Sequence, residues 1–164
     1  MYNGQGINLA DANKAKDVIG TLQLQPVKGL YIGAFGWKGD WVNSLGATLK
    51  RERFGLGLKY DVNNWTVRAE YATTLAGEKE QTGAADALYV TVGIPVTDWF
   101  KVYGKWDEFR AHADAESSHD MYSACLNFRL HKNLNFQLEY RHHNDRTRLV
   151  PQFNELWFMS YIRF

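Results

Sequence analysis

The sequence predicts an all-β fold, an antiparallel up-and-down transmembrane β-barrel with about nine strands visible. Three observations carry this. Segments of about ten residues alternate apolar and polar side chains along most of the chain, as strands with two unlike faces do. Tight turns and longer polar connections follow one another in turn between these segments. No apolar run approaches the ~20 residues of a transmembrane helix, although 45% of the 164 residues are hydrophobic and mean hydropathy is −0.43. Aromatic residues reach 15%, Gly is frequent at 14 and Pro scarce at 3, a mixture suited to pleated surfaces.

Residues 1–16 read as loop, with Asn3-Gly4 and Asp11–Asn13 as turn signals and a short helical turn near Asp11–Lys16. Residues 17–164 read as the antiparallel β-barrel, present in part. Strands are expected at Asp17–Gln25, Gly29–Trp37, Arg51–Tyr60, Trp65–Leu75, Asp86–Pro95, Trp99–Glu108, Met121–Leu130, Leu134–His143 and Glu155–Phe164. The alternation is plain in Phe54, Leu56, Leu58 and Tyr60 against Arg53, Gly55, Gly57 and Lys59. It recurs in Leu134, Phe136, Leu138 and Tyr140 against Asn135, Gln137, Glu139 and Arg141. In Gly29–Trp37 two sets compete for the apolar face, Leu30, Ile32 and Ala34 against Tyr31, Phe35 and Trp37. Connections at Pro26–Lys28, Asp61–Asn64, Val96–Asp98 and His131–Asn133 are tight. Those at Lys38–Lys50, Ala76–Ala85, Phe109–Asp120 and Asn144–Asn154 are longer and charged.

Aromatic residues fall in two bands. Tyr60, Trp65, Trp99, Phe100 and Phe164 lie beside the short turns. Trp37, Trp41, Tyr71, Trp106, Tyr122, Tyr140 and Trp157 lie toward the long loops. Amphipathic rings take such positions at two membrane interfaces.

The mixed face carries Arg53, Lys59, Arg68, Lys101, Lys105, Arg129 and Arg141, with Arg51 and Arg163 and the acids Glu70, Asp107, Glu139 and Glu155. These charges fit a wet lumen with a basic excess, which lowers the barrier to small anions. The chain as a whole is nearly neutral, +1 from 19 Lys+Arg and 18 Asp+Glu, because the long loops are acidic. Its basic residues are spread over strands rather than gathered in a patch, so no nucleic-acid partner is expected.

Little points to chemistry at a reactive centre. The single cysteine, Cys125, excludes an internal disulfide and a multi-cysteine zinc site. His142 and His143 are adjacent on a strand and face opposite ways. Ser117–Asp120 has hydrolase-like residue types, but triad members converge from separate segments. No catalytic residue, metal or cofactor is expected. Met1–Gly6 has neither a basic nor an apolar leader region, so an exported chain that starts this way is expected to be mature or partial.

The tail resembles the closing strand of a bacterial outer-membrane β-barrel. Leu156, Phe158, Ile162 and Phe164 share one parity and the strand stops on a phenylalanine. The resemblance implies that Phe158, Ile162 and Phe164 are read by the barrel-assembly machinery. Further motifs, Asn3–Asn8, Asp11–Gly20 and Pro26–Leu30, are similar to the phosphate-selective porin O/P family, with the chain matching its C-terminal half. That resemblance implies a C-terminal fragment of a larger porin barrel in the bacterial outer membrane. It also implies contact with lipid, a homotrimer, and passive, non-enzymatic diffusion of anions such as phosphate. No specific phosphate-contacting residue can be matched. Two other readings stand beside it: a soluble ligand-binding β-barrel or meander, and a small outer-membrane barrel enzyme or adhesin.

Overall fold

The structure, a computed structural model, describes residues 2–3, 16–111, 118–146 and 152–163. Nine long strands follow a two-residue strand, β1 (Tyr2–Asn3). They are β2 (Lys16–Val27), β3 (Leu30–Val42), β4 (Thr48–Val62), β5 (Trp65–Thr74), β6 (Ala85–Pro95), β7 (Phe100–Ala111), β8 (Ser118–His131), β9 (Leu134–Asp145) and β10 (Phe153–Ile162). A short helix, α1 (Ala76–Thr82), lies between β5 and β6. Each strand pairs antiparallel with its sequence neighbours, in the spatial order β1 to β10. The result is an open up-and-down sheet.

All nine expected strands are present. The short turns are set by local chemistry. Asn63 and Asn64 both adopt positive φ, 50° and 64°, as the favoured two-residue hairpin turn requires. Gly29 (φ 82°) closes the β2–β3 turn where its carbonyl accepts from Asp61 N at 2.8 Å. A Cβ there would strike Asp61 and Val62.

The long-loop end departs from expectation. β3 and β4 run on through most of Lys38–Lys50, leaving Asn43–Ala47 as a tight connection in which the Asn43 side chain accepts from Leu45 N and Ala47 N. In these extensions Trp41 opposes Leu49 on one face and Asp40 opposes Lys50 on the other, an alternation too short to mark strand among the charged residues. Lys16 and Tyr2–Asn3 belong to strands rather than to a loop. The helical turn near Asp11 falls largely outside the described residues.

The β5–β6 connection is not plain loop. β5 stops at Thr74, and Leu75 precedes α1 instead of ending the strand. This leaves the edge of β4 from Glu52 to Thr48 without a partner strand, and α1 covers it. Leu75 N donates to Glu52 O, Glu78 accepts from Glu52 N at 2.9 Å, and Gln81 accepts from Lys50 N. Residues three apart on a helix lie over each other, so Glu78 and Gln81 serve alternate residues of one strand. Glu78 is buried and also grips the Arg53 guanidinium at 2.7 Å.

Replacing Glu78 with Ala is therefore expected to loosen this edge. Hydrogen bonds to charged groups contribute about 1.5–3 kcal/mol. Amide exchange at Glu52 should accelerate by the corresponding one to two orders of magnitude, while the Leu58 amide in mid-strand keeps its protection.

Candidate functional site

The ladders fix which side chains share a face. Lys59 opposes Arg68, and Thr91, the partner of Arg68, opposes Lys105. Lys101 opposes Asn127, Arg129 opposes Asn135, and Ser123 opposes Arg141. Arg53, Lys59, Arg68, Lys101, Lys105, Arg129 and Arg141 thus all stand on one face, as the alternation predicts. Register also settles β3. Leu30, Ile32 and Ala34 oppose Tyr60, Leu58 and Leu56 on the apolar face, so Tyr31, Phe35 and Trp37 belong with the charges.

The polar face is the crowded one. Among the described residues Cys125 is the buried hydrophobic residue, and it lies on this face with buried Thr66, Ser123, Glu139 and Asp17. Thr66, Arg68, Tyr89, Tyr103, Lys105 and Ser123 help line a cavity of about 420 Å³ to which only this face contributes. A sheet face holds such a cavity where it curls inward. Glycines report the same asymmetry. Gly20, Gly36 and Gly104, on the apolar face, have no atom within 4 Å of an added Cβ. Gly55 is covered by the Phe35 ring and Gly93 by the Tyr103 ring, each its direct ladder partner. The rings lie flat along the wall, the arrangement in which an aromatic neighbour shields a strand glycine.

Most cations of this face are neutralised locally. Arg51 bridges Asp17 at 3.1 Å and Arg53 bridges Glu78 at 2.7 Å. Asp61 lies 3.2 Å from Lys59 and 3.8 Å from Arg68. Lys105 meets Asp107 at 2.8 Å, and Arg141 meets Glu139 at 2.8 Å and Glu155 at 3.9 Å. Rings flank the same cations: Tyr31 under Lys59, Tyr89 under Lys105, Trp157 under Arg141, and Trp37 under both Arg51 and Arg53. Trp37, Trp41 and Trp157 therefore belong to the wall and not to an outer aromatic band. Lys101 and Arg129 have no ion pair among the described residues. Lys101 donates to Thr66 Oγ1 at 2.7 Å and Arg129 to the Asp98 carbonyl at 3.1 Å.

Sequence reading missed Asp17, Asp61 and Glu78 as members of this face, and so overstated its basic excess. Three of the pairs were legible. Lys59–Asp61, Lys105–Asp107 and Glu139–Arg141 are two residues apart, and such residues share a face. Asp17 and Glu78 come from distant segments.

The apolar face bears a belt of uniform height. From the short turns, each long strand presents four outward positions (five on β4 and β8) that are apolar, Gly or aromatic apart from Ser160. A polar residue follows at the next outward position: Lys16, Lys38, Glu52, Thr73, Asp86, Glu108, Asp120, His142 and Asn154 from β2 to β10. Above the belt these residues bond to one another or to neighbours. Lys38 meets Glu52 at 3.6 Å, Asp86 meets Arg110 at 2.7 Å, Asp120 meets Arg146 at 2.8 Å and His142 meets Asn154 at 2.8 Å. The belt itself is open to its surroundings: Leu22 is 62% exposed, Leu156 71%, Phe158 68% and Ile162 58%. Phe164 lies outside the described residues.

Register gives the belt a slope. Its polar limit stays level within the long-loop hairpins, where Lys38 opposes Glu52, Thr73 opposes Asp86, Glu108 opposes Asp120 and His142 opposes Asn154. Across each short-turn hairpin it steps by two residues. The mean drift is about one residue per strand. With ~3.3 Å per residue and ~4.8 Å between strands, a level belt needs strands tilted by about 35°.

The other groupings stay apart. His142 points outward. His143 points inward, 3.2 Å from His119. Ser118 and Asp120 face opposite to His119. Among the described residues no three His, Cys, Asp or Glu side chains gather as metal ligands would. No protein-family model, curated protein or solved structure matches the chain.

The two faces predict opposite responses to added bulk. Gly93→Val should displace the Tyr103 ring, lowering the urea midpoint of the folded chain and its stability by about 1–3 kcal/mol. Gly104→Val, which meets open space, should leave the midpoint unchanged or raise it.

Proposed function

We propose that the chain forms the wall of an outer-membrane diffusion pore, non-enzymatic and favouring small anions. The observation that carries this reading is the level, sloping apolar belt backed by a charged, concave face. A soluble barrel places its apolar residues inside. Here the side chains of the belt face outward, and the ion pairs at the belt's height lie on the other face. Each large apolar side chain contributes roughly 1.5–3 kcal/mol on full burial. A belt of this extent left in water would forgo tens of kcal/mol, several times the ~5–15 kcal/mol that holds a typical domain together. Lipid removes that cost. The ~35° tilt also falls within the range of membrane barrels.

Belt height supports the same reading. Four outward positions cover about 16 Å of depth at this tilt. Val62, Val96, Trp99 and Leu130 extend it on the short-turn side toward the ~25 Å of outer-membrane barrels. The ion-paired rim above it would lie at the headgroups, and Phe158 and Ile162 of β10 would belong to the segment presented to the assembly machinery. Solutes would pass hydrated along the polar face, with no covalent step. The open edges at β2 and β10 would be completed by further strands, since unpaired backbone is excluded from lipid. A trimeric assembly and phosphate as the solute belong to the same proposal, on the resemblance to the porin O/P family.

Cysteine labelling in membranes tests the reading. In a Cys125→Ser background, cysteines replacing Leu58, Leu126 or Leu138 should resist a charged, water-soluble thiol reagent. Cysteines replacing Arg68, Lys59 or, beyond the belt, Glu108 should react. Equal labelling of both sets, or a monodisperse species in detergent-free buffer, would overturn the proposal. In pores reconstituted with this wall, replacing Lys101, Lys105 and Arg129 by Glu should move the reversal potential toward cation selectivity.

A further inference from the structure

The polar face is not polar throughout. One row of inward residues runs across five ladders, from Phe35 through Gly55, Ala72, Ala87 and Phe109 to His119. Its middle members are small, so the row forms a trough between two phenylalanine rings. The Phe35 ring covers Gly55 and so reaches toward β5. The next row toward the short turns sets Glu70, Tyr89, Asp107 and Met121 side by side. Where the two rows meet, a cavity of about 350 Å³ opens, with Ala72 and Ala87 as its floor and Phe35, Phe109 and Met121 about it. That volume lies at the lower end of the range of small-molecule sites.

The chemistry of this recess is the reverse of the wall around it. No lysine or arginine is among its lining residues, whereas Glu70 and Asp107 both are. Glu70 has no ion pair among the described residues, in contrast to Asp61 and Glu139. Asp107 meets Lys105 through Oδ1 at 2.8 Å, and its Oδ2 is buried without a hydrogen-bond partner. Lys105 lies 5.4 Å from the Tyr89 ring centre and lines the neighbouring cavity with Arg68 and Ser123. The rings differ as well. Tyr31, Trp37 and Trp157 each have a cation of the chain beside them. Phe35 and Phe109 have none among the described residues, and Phe109 is 51% exposed on this face. An uncovered ring leaves apolar area in water that a ligand can cover. His119 closes the far end, its Nε2 3.2 Å from His143 Nδ1.

We infer that this recess binds a primary organic ammonium, with its charged head beside Glu70 and Asp107 and its apolar body over Ala72 and Ala87, between the Phe35 and Phe109 rings. Each part has a physical reason. An ammonium brings N–H donors to the unpartnered Asp107 oxygen and a positive charge to Glu70, in hydrogen bonds stronger than neutral ones. Bare rings attract a cation over their faces and pack an apolar body against them. A small anion meets two carboxylates and no cation of the lining. A hydrated metal ion finds too few oxygen ligands among alanines and phenylalanines. The site goes beyond the pore reading and asks of it only that the polar face be open to water.

The test is a titration of phenethylamine, protonated at neutral pH, into the ¹⁵N-labelled chain in neutral maltoside micelles, followed by amide chemical shifts. Phenylethanol and phenylpropionate, the same body with a neutral or an anionic head, are titrated in parallel, with aqueous concentrations corrected for uptake into the micelles. Saturable shifts should cluster at Ala72, Ala87, Asp107 and Phe109 for the amine, and the alcohol and the acid should bind more weakly by roughly tenfold or more. This comparison needs no variant. Glu70→Gln should weaken the amine by roughly tenfold, and Ala87→Leu, which fills the floor, by as much. Glu155→Gln, a carboxylate of the same face outside the recess, should change it by less than about twofold. Equal binding of amine and alcohol would make the recess an unselective apolar patch and overturn the assignment. Tighter binding of the acid, shifts spread evenly over both faces, or no saturation by the amine would overturn it as well. A belt that labels in water counts against the pore alone, and an amine that does not bind counts against this site alone.

Discussion

The arrangement depends on parity carried unbroken through consecutive antiparallel ladders. A strand has only two faces, and a slip of one residue exchanges them. Two register irregularities occur, between Leu24 and Val27 in β2 and between Arg129 and His131 in β8. Both lie at short-turn ends, where a strand is about to reverse. Neither disturbs the four outward positions above it. The belt, the charged wall and the slope all follow from that continuity, and none requires a residue to be conserved or a ligand to be bound.

The two faces solve different problems. The apolar face tolerates gaps, so glycines stand uncovered at Gly36 and Gly104. The polar face must keep many ionised groups close together. It does so by short-range pairing and by flat rings. Surface ion pairs contribute only about 0–1 kcal/mol each, so they are a poor source of stability. Their effect here is to hold long side chains against the wall. Lys59, Lys105 and Arg141 each lie between a carboxylate and a ring, a position that takes a flexible cation out of the open space.

Much of the fold was legible because period-two alternation is a strong signal when one face is uniformly apolar. The nine strands and the common face of Arg53, Lys59, Arg68, Lys101, Lys105, Arg129 and Arg141 could be read from it. What the sequence hid lies beyond the reach of alternation. β3 and β4 continue past the belt, where charged outward residues replace the apolar ones and only Trp41 and Leu49 keep the period on the other face. α1 is a seven-residue segment held by its bonds to the β4 edge, not by helical propensity alone. Asp17 and Glu78 act on arginines 34 and 25 residues away, and no local pattern announces such pairs. The charge balance of the wall could be judged only once those pairs were in place.

If the sheet closes into the proposed pore, the drift of the belt has a consequence for its size. One residue of drift per strand means that the shear number of a closed barrel built this way stays close to its strand number. The tilt is then constant, and each strand occupies about 6 Å of circumference whatever its side chains. The radius becomes a matter of counting. Side chains can narrow or charge the lumen, but the width of the cylinder is set by how many strands share this slope.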